Sequence, residues 1–120
     1  MQRFKNKIVV ITGAGSGIGR STSLRLDSEG ADLVMIDKNQ KDLAATKKML
    51  KNKSSSTHVM DISSIDSTKE FFDDIERKYK RLDALINIAG ILRFDNSHEV
   101  ELENWNQILN INLTGTFFMC

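Results

Sequence analysis

The sequence predicts an α/β fold: a doubly wound parallel sheet of about four strands in the order 3-2-1-4, with helices on both faces. Two observations carry this expectation. Short apolar runs begin at Ile8, Leu33, His58 and Ala84, at intervals of 25, 25 and 26 residues, and each is followed by an amphipathic stretch. That alternation makes βαβ units, and right-handed crossovers place their helices on both sides of the sheet. Each run also ends in a polar or small turn residue: Thr12-Gly13, Asp37, Asp61, and Asn87 with Ala89-Gly90. In an open parallel sheet the ligand crevice lies outside the carboxyl ends of the strands. With the first strand central, all four ends border one crevice.

The elements follow in order. Ile8, Val9, Val10 and Ile11 are an unbroken β-branched run, as expected of a strand buried on both faces. Gly13, Gly15, Gly17 and Gly19 then open a turn, and Ile18, Thr22 and Leu26 recur at helical spacing. The second strand, Leu33–Ile36, ends in Asp37. Asn39 is a plausible N-cap with Asp42 three residues on, and Lys47, Lys48 and Lys51 suit the C-terminal end of that helix. Residues 52–57 read as a polar connector and His58-Val59-Met60 as the third strand. Ser63 or Ser64 caps a helix whose Ile65, Thr68, Phe72, Ile75 and Tyr79 share a face. The fourth strand is Ala84–Ile88, residues 91–100 a loop, and a last helix carries Leu102, Trp105, Leu109, Asn112 and Thr116, with Asn112 expected on its buried side.

Size and charge narrow the function classes. Residues 1–120 make one domain, long enough to bury about two-thirds of its unfolded surface. A net charge of +1 with scattered lysines argues against an electrostatic nucleic-acid or membrane binder. The one cysteine, Cys120, fits a reducing compartment. No run approaches the roughly 20 apolar residues of a membrane span. The basic N-terminus lacks a long apolar segment, so no secretory signal is expected and a cytoplasmic location is. The sequon at Asn112-Leu113-Thr114 reads as chance on that basis. No metal site is expected, and His58 and His98 stand alone.

A strand, a bare turn and a helix N-terminus together make an anion site, because free backbone N–H groups and the positive end of the helix dipole converge. Two phosphate ligands compete for it. Gly19-Arg20-Ser21-Thr22 superficially resembles the end of a nucleoside-triphosphate P-loop, but Ala14 stands where that motif needs glycine and Arg20 replaces the phosphate-reaching lysine. A dinucleotide site instead needs an acid about 20 residues after the turn, at the end of the second strand, for the ribose hydroxyls. Asp37 stands there.

The glycines do not form G-x-G-x-x-G. They form Gly-x-x-x-Gly-x-Gly at Gly13, Gly17 and Gly19, and Thr12–Gly19 resembles the nucleotide-binding loop of the short-chain dehydrogenase/reductase family. Asp61-Ile62 resembles that family's adenine-contacting pair. Asn87-Ile88-Ala89-Gly90 is similar to its Asn-Asn-Ala-Gly motif, with Ile88 in place of the second Asn, and Trp105 with Asn112–Thr116 resembles the start of its fifth helix. The resemblance covers the whole chain and implies a Rossmann-like fold. It implies that Thr12, Gly13, Ser16, Gly17, Ile18 and Gly19 line the pyrophosphate and adenosine, that Asp37 accepts from both ribose hydroxyls, and that Asp61 and Ile62 flank the adenine. Asn87, Ala89 and Gly90 would border the cofactor, and Asn112 would be the Asn of the catalytic tetrad. Asp37 favours NAD over NADP, because a 2′-phosphate about 4 Å from its carboxylate costs on the order of 4 kcal/mol at an effective dielectric near 20; the adjacent Lys38 softens that preference.

The implied reaction is hydride transfer between a nicotinamide and a carbonyl or secondary alcohol, on a small-molecule substrate, in an enzyme expected to be a homo-oligomer at full length. In the family the acid/base is a Tyr with a Lys four residues on. The single tyrosine here, Tyr79, is followed at that spacing by Asp83 and belongs to an apolar helix face. The expectation is therefore a truncated, cofactor-binding N-terminal half, inactive by itself. The alternative is a non-catalytic dinucleotide-binding module, against which Asn112 speaks, since its role requires the missing residues.

Overall fold

The computed structural model describes residues 1–120. Its four strands, β1 (Ile8–Thr12), β2 (Asp32–Asp37), β3 (Ser56–Val59) and β4 (Ala84–Ile86), form one parallel sheet in the order β3-β2-β1-β4. The helices are α1 (Gly17–Ser28), α2 (Gln40–Met49), α3 (Ile65–Tyr79), α4 (Leu102–Leu109) and α5 (Thr116–Met119), the last two joined by a π-helical segment, Asn110–Gly115. The expected Rossmann-like arrangement is the observed one.

Side chains alternate across the pleat. Ile8, Val10, Val34 and Ile36 point to one face and pack with Phe71 and Ile75 of α3, Met119 of α5, Ile62 and Ile111. Val9, Ile11, Leu33 and Met35 point to the other and pack with Leu26 of α1 and with Leu43 and Leu50 of and after α2. Both faces of β1 and β2 are thus sealed, which is why those strands read as continuous apolar runs. Local capping sets the helix starts. The Asn39 side chain accepts from Asp42 N at 3.1 Å and the Ser64 hydroxyl from Ser67 N at 3.3 Å.

Five local expectations shift. β3 lies two residues earlier than the apolar run suggested, because it is an edge strand with one face half-exposed, and Ser56 and Thr57 pair with Val34 and Met35. β4 ends at Ile86, not Ile88. α1 buries Gly19, Ser23, Leu26 and Asp27, leaving Ile18 74% exposed at the helix mouth. In α3 it is Phe71, edge-on to His58, that is buried, with Phe72 only partly covered. α4 buries no residue, so Trp105 and Asn112 are exposed and not on a buried side. The radius of gyration, 15.2 Å, exceeds the roughly 13.6 Å of a compact chain this long. That fits an arm running out along α4.

Two carboxylates tie segments at the amino ends of the strands. Glu29, 4% exposed, receives Arg3 and Arg25, and those two hydrogen bonds hold its carboxyl at about 2. Asp83 accepts from the backbone N–H of Ile8 at 2.8 Å, with Lys7 beside it, and is also held below the usual carboxylate range. Depressed native pKa values contribute stability above the unfolded value of about 4, and that stability is lost as pH falls through the native values. Thermal unfolding measured from pH 7 to pH 2 should therefore show a melting temperature that falls steadily below about pH 5. Glu29→Gln should melt lower than the parent at pH 7 and fall less steeply in acid; a parallel curve would contradict this role.

Candidate functional site

A cleft of about 460 Å³ runs along the carboxyl ends of the strands. The turn after β1 supplies Gly13, Ser16, Gly17, Ile18 and Gly19; the end of β2 and start of α2 supply Ile36, Asp37, Lys38, Asn39 and Asp42. Met60, Asp61 and Ile62 follow β3, Ile88–Ile91 follow β4, and Ile111 closes the floor. Order 3-2-1-4 brings these segments together, since β1 sits between β2 and β4 and all strands point the same way.

The glycine turn is shaped by close approach. Gly13 has φ +68°, and a Cβ there would lie 2.9 Å from the Ala89 backbone. At Gly19 a Cβ would lie 1.8 Å from Gly13 O, so this residue lets the helix start directly under the turn. Ser16 is extended and makes no side-chain cap, leaving the first N–H groups of α1 uncapped beside the cleft. Across the cleft, Asp37 is held by two backbone donors: Gly15 N reaches Oδ2 and Asn39 N reaches Oδ1, each at 2.9 Å. Each oxygen keeps lone-pair capacity for a further donor.

The structure gathers ten of the thirteen sequence-predicted residues around the cleft: Gly13, Ser16, Gly17, Ile18, Gly19, Asp37, Asp61, Ile62, Ala89 and Gly90. Three stand elsewhere. Thr12 is fully buried beneath the cleft, its hydroxyl accepting from Ile88 N and Ala89 N at 3.1 Å and so tying the end of β1 to the segment after β4. Asn87 faces α5, with Nδ2 3.4 Å from Cys120 Sγ and a buried Oδ1 that lacks a partner. Asn112 clamps the backbone of Ile91, accepting from its N–H at 2.8 Å and donating to its carbonyl at 2.7 Å. One bond at each end of its amide ties the π-helical segment to the chain after β4. Sequence reasoning had no place in the cleft for Asn39 or Asp42, read only as a cap pair. It also missed the apolar floor of Ile36, Met60, Ile88, Ile91 and Ile111.

Residues 7–120 match the sequence model of the family described as short chain dehydrogenase. The chain belongs to the short-chain dehydrogenase family. Its relatives include the 3beta-hydroxysteroid dehydrogenase of Mediterraneibacter gnavus, 37% identical over 123 residues, covering 100% of this chain and 45% of that protein. The 3-oxoacyl-[acyl-carrier-protein] reductase FabG of Thermotoga maritima is 33% identical over 117 residues, 96% of this chain and 48% of that one. Among solved structures, NAD+-bound xylitol dehydrogenase superposes with a TM-score of 0.90 at 29% identity, covering 98% of this chain and 46% of that one. This short-chain dehydrogenase chain spans about half the length of the curated relatives it matches.

The glycines make different demands, and alanine substitution separates them. Gly19→Ala should lower stability by on the order of 4 kcal/mol, because the clash is with backbone that cannot yield cheaply. Gly17 has φ +48° but open space around its Cβ position, so Gly17→Ala should cost only the left-handed strain, roughly 1–2 kcal/mol. Urea unfolding of the two variants checks the order; equal losses would contradict the geometry.

Proposed function

We propose that the cleft binds NAD(H) and that residues 1–120 are the cofactor-binding, N-terminal part of an NAD(P)-dependent oxidoreductase acting on a carbonyl or secondary alcohol. One observation carries this reading: a carboxylate, Asp37, is fixed by two backbone N–H groups at the end of β2, across the cleft from an uncapped glycine turn and helix start. Family membership supports it.

The residues present fit the group. Gly17 leaves open space at the start of α1, where no Cβ stands, and the uncapped N–H groups of that first turn suit a pyrophosphate. Asp37 accepts from the adenosine ribose hydroxyls with its remaining lone pairs. Asp61 and Ile62 flank the adenine, and Ala89 and Gly90 border the nicotinamide half. When bound, the nicotinamide supplies the hydride acceptor or donor. Thr12 and Asn112 hold the segment after β4 from below and from the side. That segment forms the wall along which a substrate would be oriented, and the proton-transferring Tyr and Lys of this reading lie outside residues 1–120. The relatives named for a 3-oxoacyl-[acyl-carrier-protein], a 3beta-hydroxysteroid and xylitol delimit the substrate class without selecting a member. The reading places the enzyme in the cytoplasm, as a homo-oligomer at full length.

NAD is favoured over NADP because both Asp37 and Asp42 line the adenosine wall, with Lys38 as the one opposing charge. Isothermal titration of the chain should give tighter binding for NAD+ than for NADP+. Asp37→Ala should weaken NAD+ about 10-fold or more, in line with the roughly 1.5–3 kcal/mol of hydrogen bonds to a charged group, and narrow the gap to NADP+. Binding of NAD+ unaffected by Asp37→Ala would overturn the assignment.

A further inference from the structure

Arg20 stands where a P-loop would carry its phosphate-reaching lysine, and it does not line the cleft. Its guanidinium turns back beneath the turn. Nε donates to Thr46 Oγ1 at 3.0 Å, Nη2 donates to the carbonyl of Gly15, and Nη2 stands 3.5 Å from the carbonyl of Asp42. No carboxylate pairs with it. Thr46 is fully buried in α2, and its hydroxyl donates to Ala14 O at 2.9 Å, with the carbonyls of Asp42 and Gly15 at 3.2 and 3.3 Å.

A trans peptide sets its C=O and N–H in opposite directions. The unit joining Ala14 and Gly15 therefore has its carbonyl on Thr46 and its N–H on Asp37 Oδ2. The unit joining Gly15 and Ser16 has its carbonyl on Arg20, which turns the Ser16 N–H the other way, toward the cleft that Ser16 lines. A glycine-rich turn is otherwise free to flip such units, and an ordered ligand would have to stop that motion at an entropic cost.

We propose that Thr46 and Arg20 are positioning residues with separate tasks. Thr46 holds the peptide whose N–H orients Asp37 toward the ribose. Arg20 holds the peptide whose N–H is offered to the phosphate. This rests on the dinucleotide reading of the cleft and extends it to a layer that no ligand touches.

The two tasks separate in binding ratios, which a general loss of stability would not alter selectively. Titrations of the 120-residue chain with NAD+, with its 2′-deoxyadenosine analogue and with adenosine give a hydroxyl ratio and a phosphate ratio for each variant. Thr46→Val removes the hydroxyl without changing the shape. It should cut the preference for NAD+ over the deoxy analogue from about 10-fold to about 2-fold, while keeping the preference for NAD+ over adenosine. Arg20→Met should do the reverse, and Thr46→Ser should keep both ratios. Both ratios surviving in folded Thr46→Val and Arg20→Met, or falling together in each, would overturn the proposal. In Asp37→Asn the Gly15 amide resonance should move from its position in the unsubstituted chain; an unmoved resonance would overturn the proposal even if neither Thr46→Val nor Arg20→Met folds. A chain that binds no NAD+ at all refutes the dinucleotide reading, while the Gly15 resonance still reports whether the turn is held as described.

Discussion

The hydrogen bond from Gly15 N–H to Asp37 Oδ2 joins the two halves of the cleft. It spans from the turn after β1 to the end of β2, so it exists only because those strands are parallel neighbours ending at the same level. It also explains why residue 15 is glycine: a Cβ there would lie 2.8 Å from the same carboxylate oxygen. With Ala14 N donating to Ile36 O at 3.1 Å, the turn is sewn to β2 by consecutive N–H groups. The glycine turn and the Asp37 side of the cleft are therefore one mechanical unit.

Much of this was legible in the chain because two separate physical demands left marks in the same places. Burial on both faces made β1 and β2 apolar without alternation, and their even spacing set the parallel sheet. Tight turning and close backbone approach then placed glycine at 13, 17 and 19, and the end of β2 an acid at 37 that the turn's own N–H reaches. What stayed hidden depended on tertiary neighbours. β3 is an edge strand, so Ser56 and Thr57 carry no hydrophobic signal. Phe71 and Phe72 are adjacent on α3, and only packing against the sheet, with His58 edge-on, selects Phe71. Arg20 and Thr46 lie 26 residues apart on different helices, and no local pattern links them.

The α4 arm follows a different logic from the rest. Its apolar residues Leu102, Trp105 and Leu113 are exposed, and it is tied to the site by the Asn112 clamp on Ile91 and by buried Ile111. That clamp sits in the π-helical segment Asn110–Gly115. There the close approach of Gly115 to Ile62, where a Cβ would lie 2.9 Å from the Ile62 carbonyl, brings the segment against the chain after β3. The arm therefore braces the segments after β3 and β4.

On the reading proposed above, one dinucleotide lies across all four strand ends. Backbone amide chemical shifts of the isotopically labelled chain, followed as NAD+ is added, test it most directly. Saturable shifts confined to residues 13–19, Asp37–Asn39, Asp61–Ile62 and Ala89–Ile91 are expected, with the exposed face of α4 unmoved. Shifts centred on α4, or limited to the glycine turn with Asp37 and Asp61 silent, would contradict it.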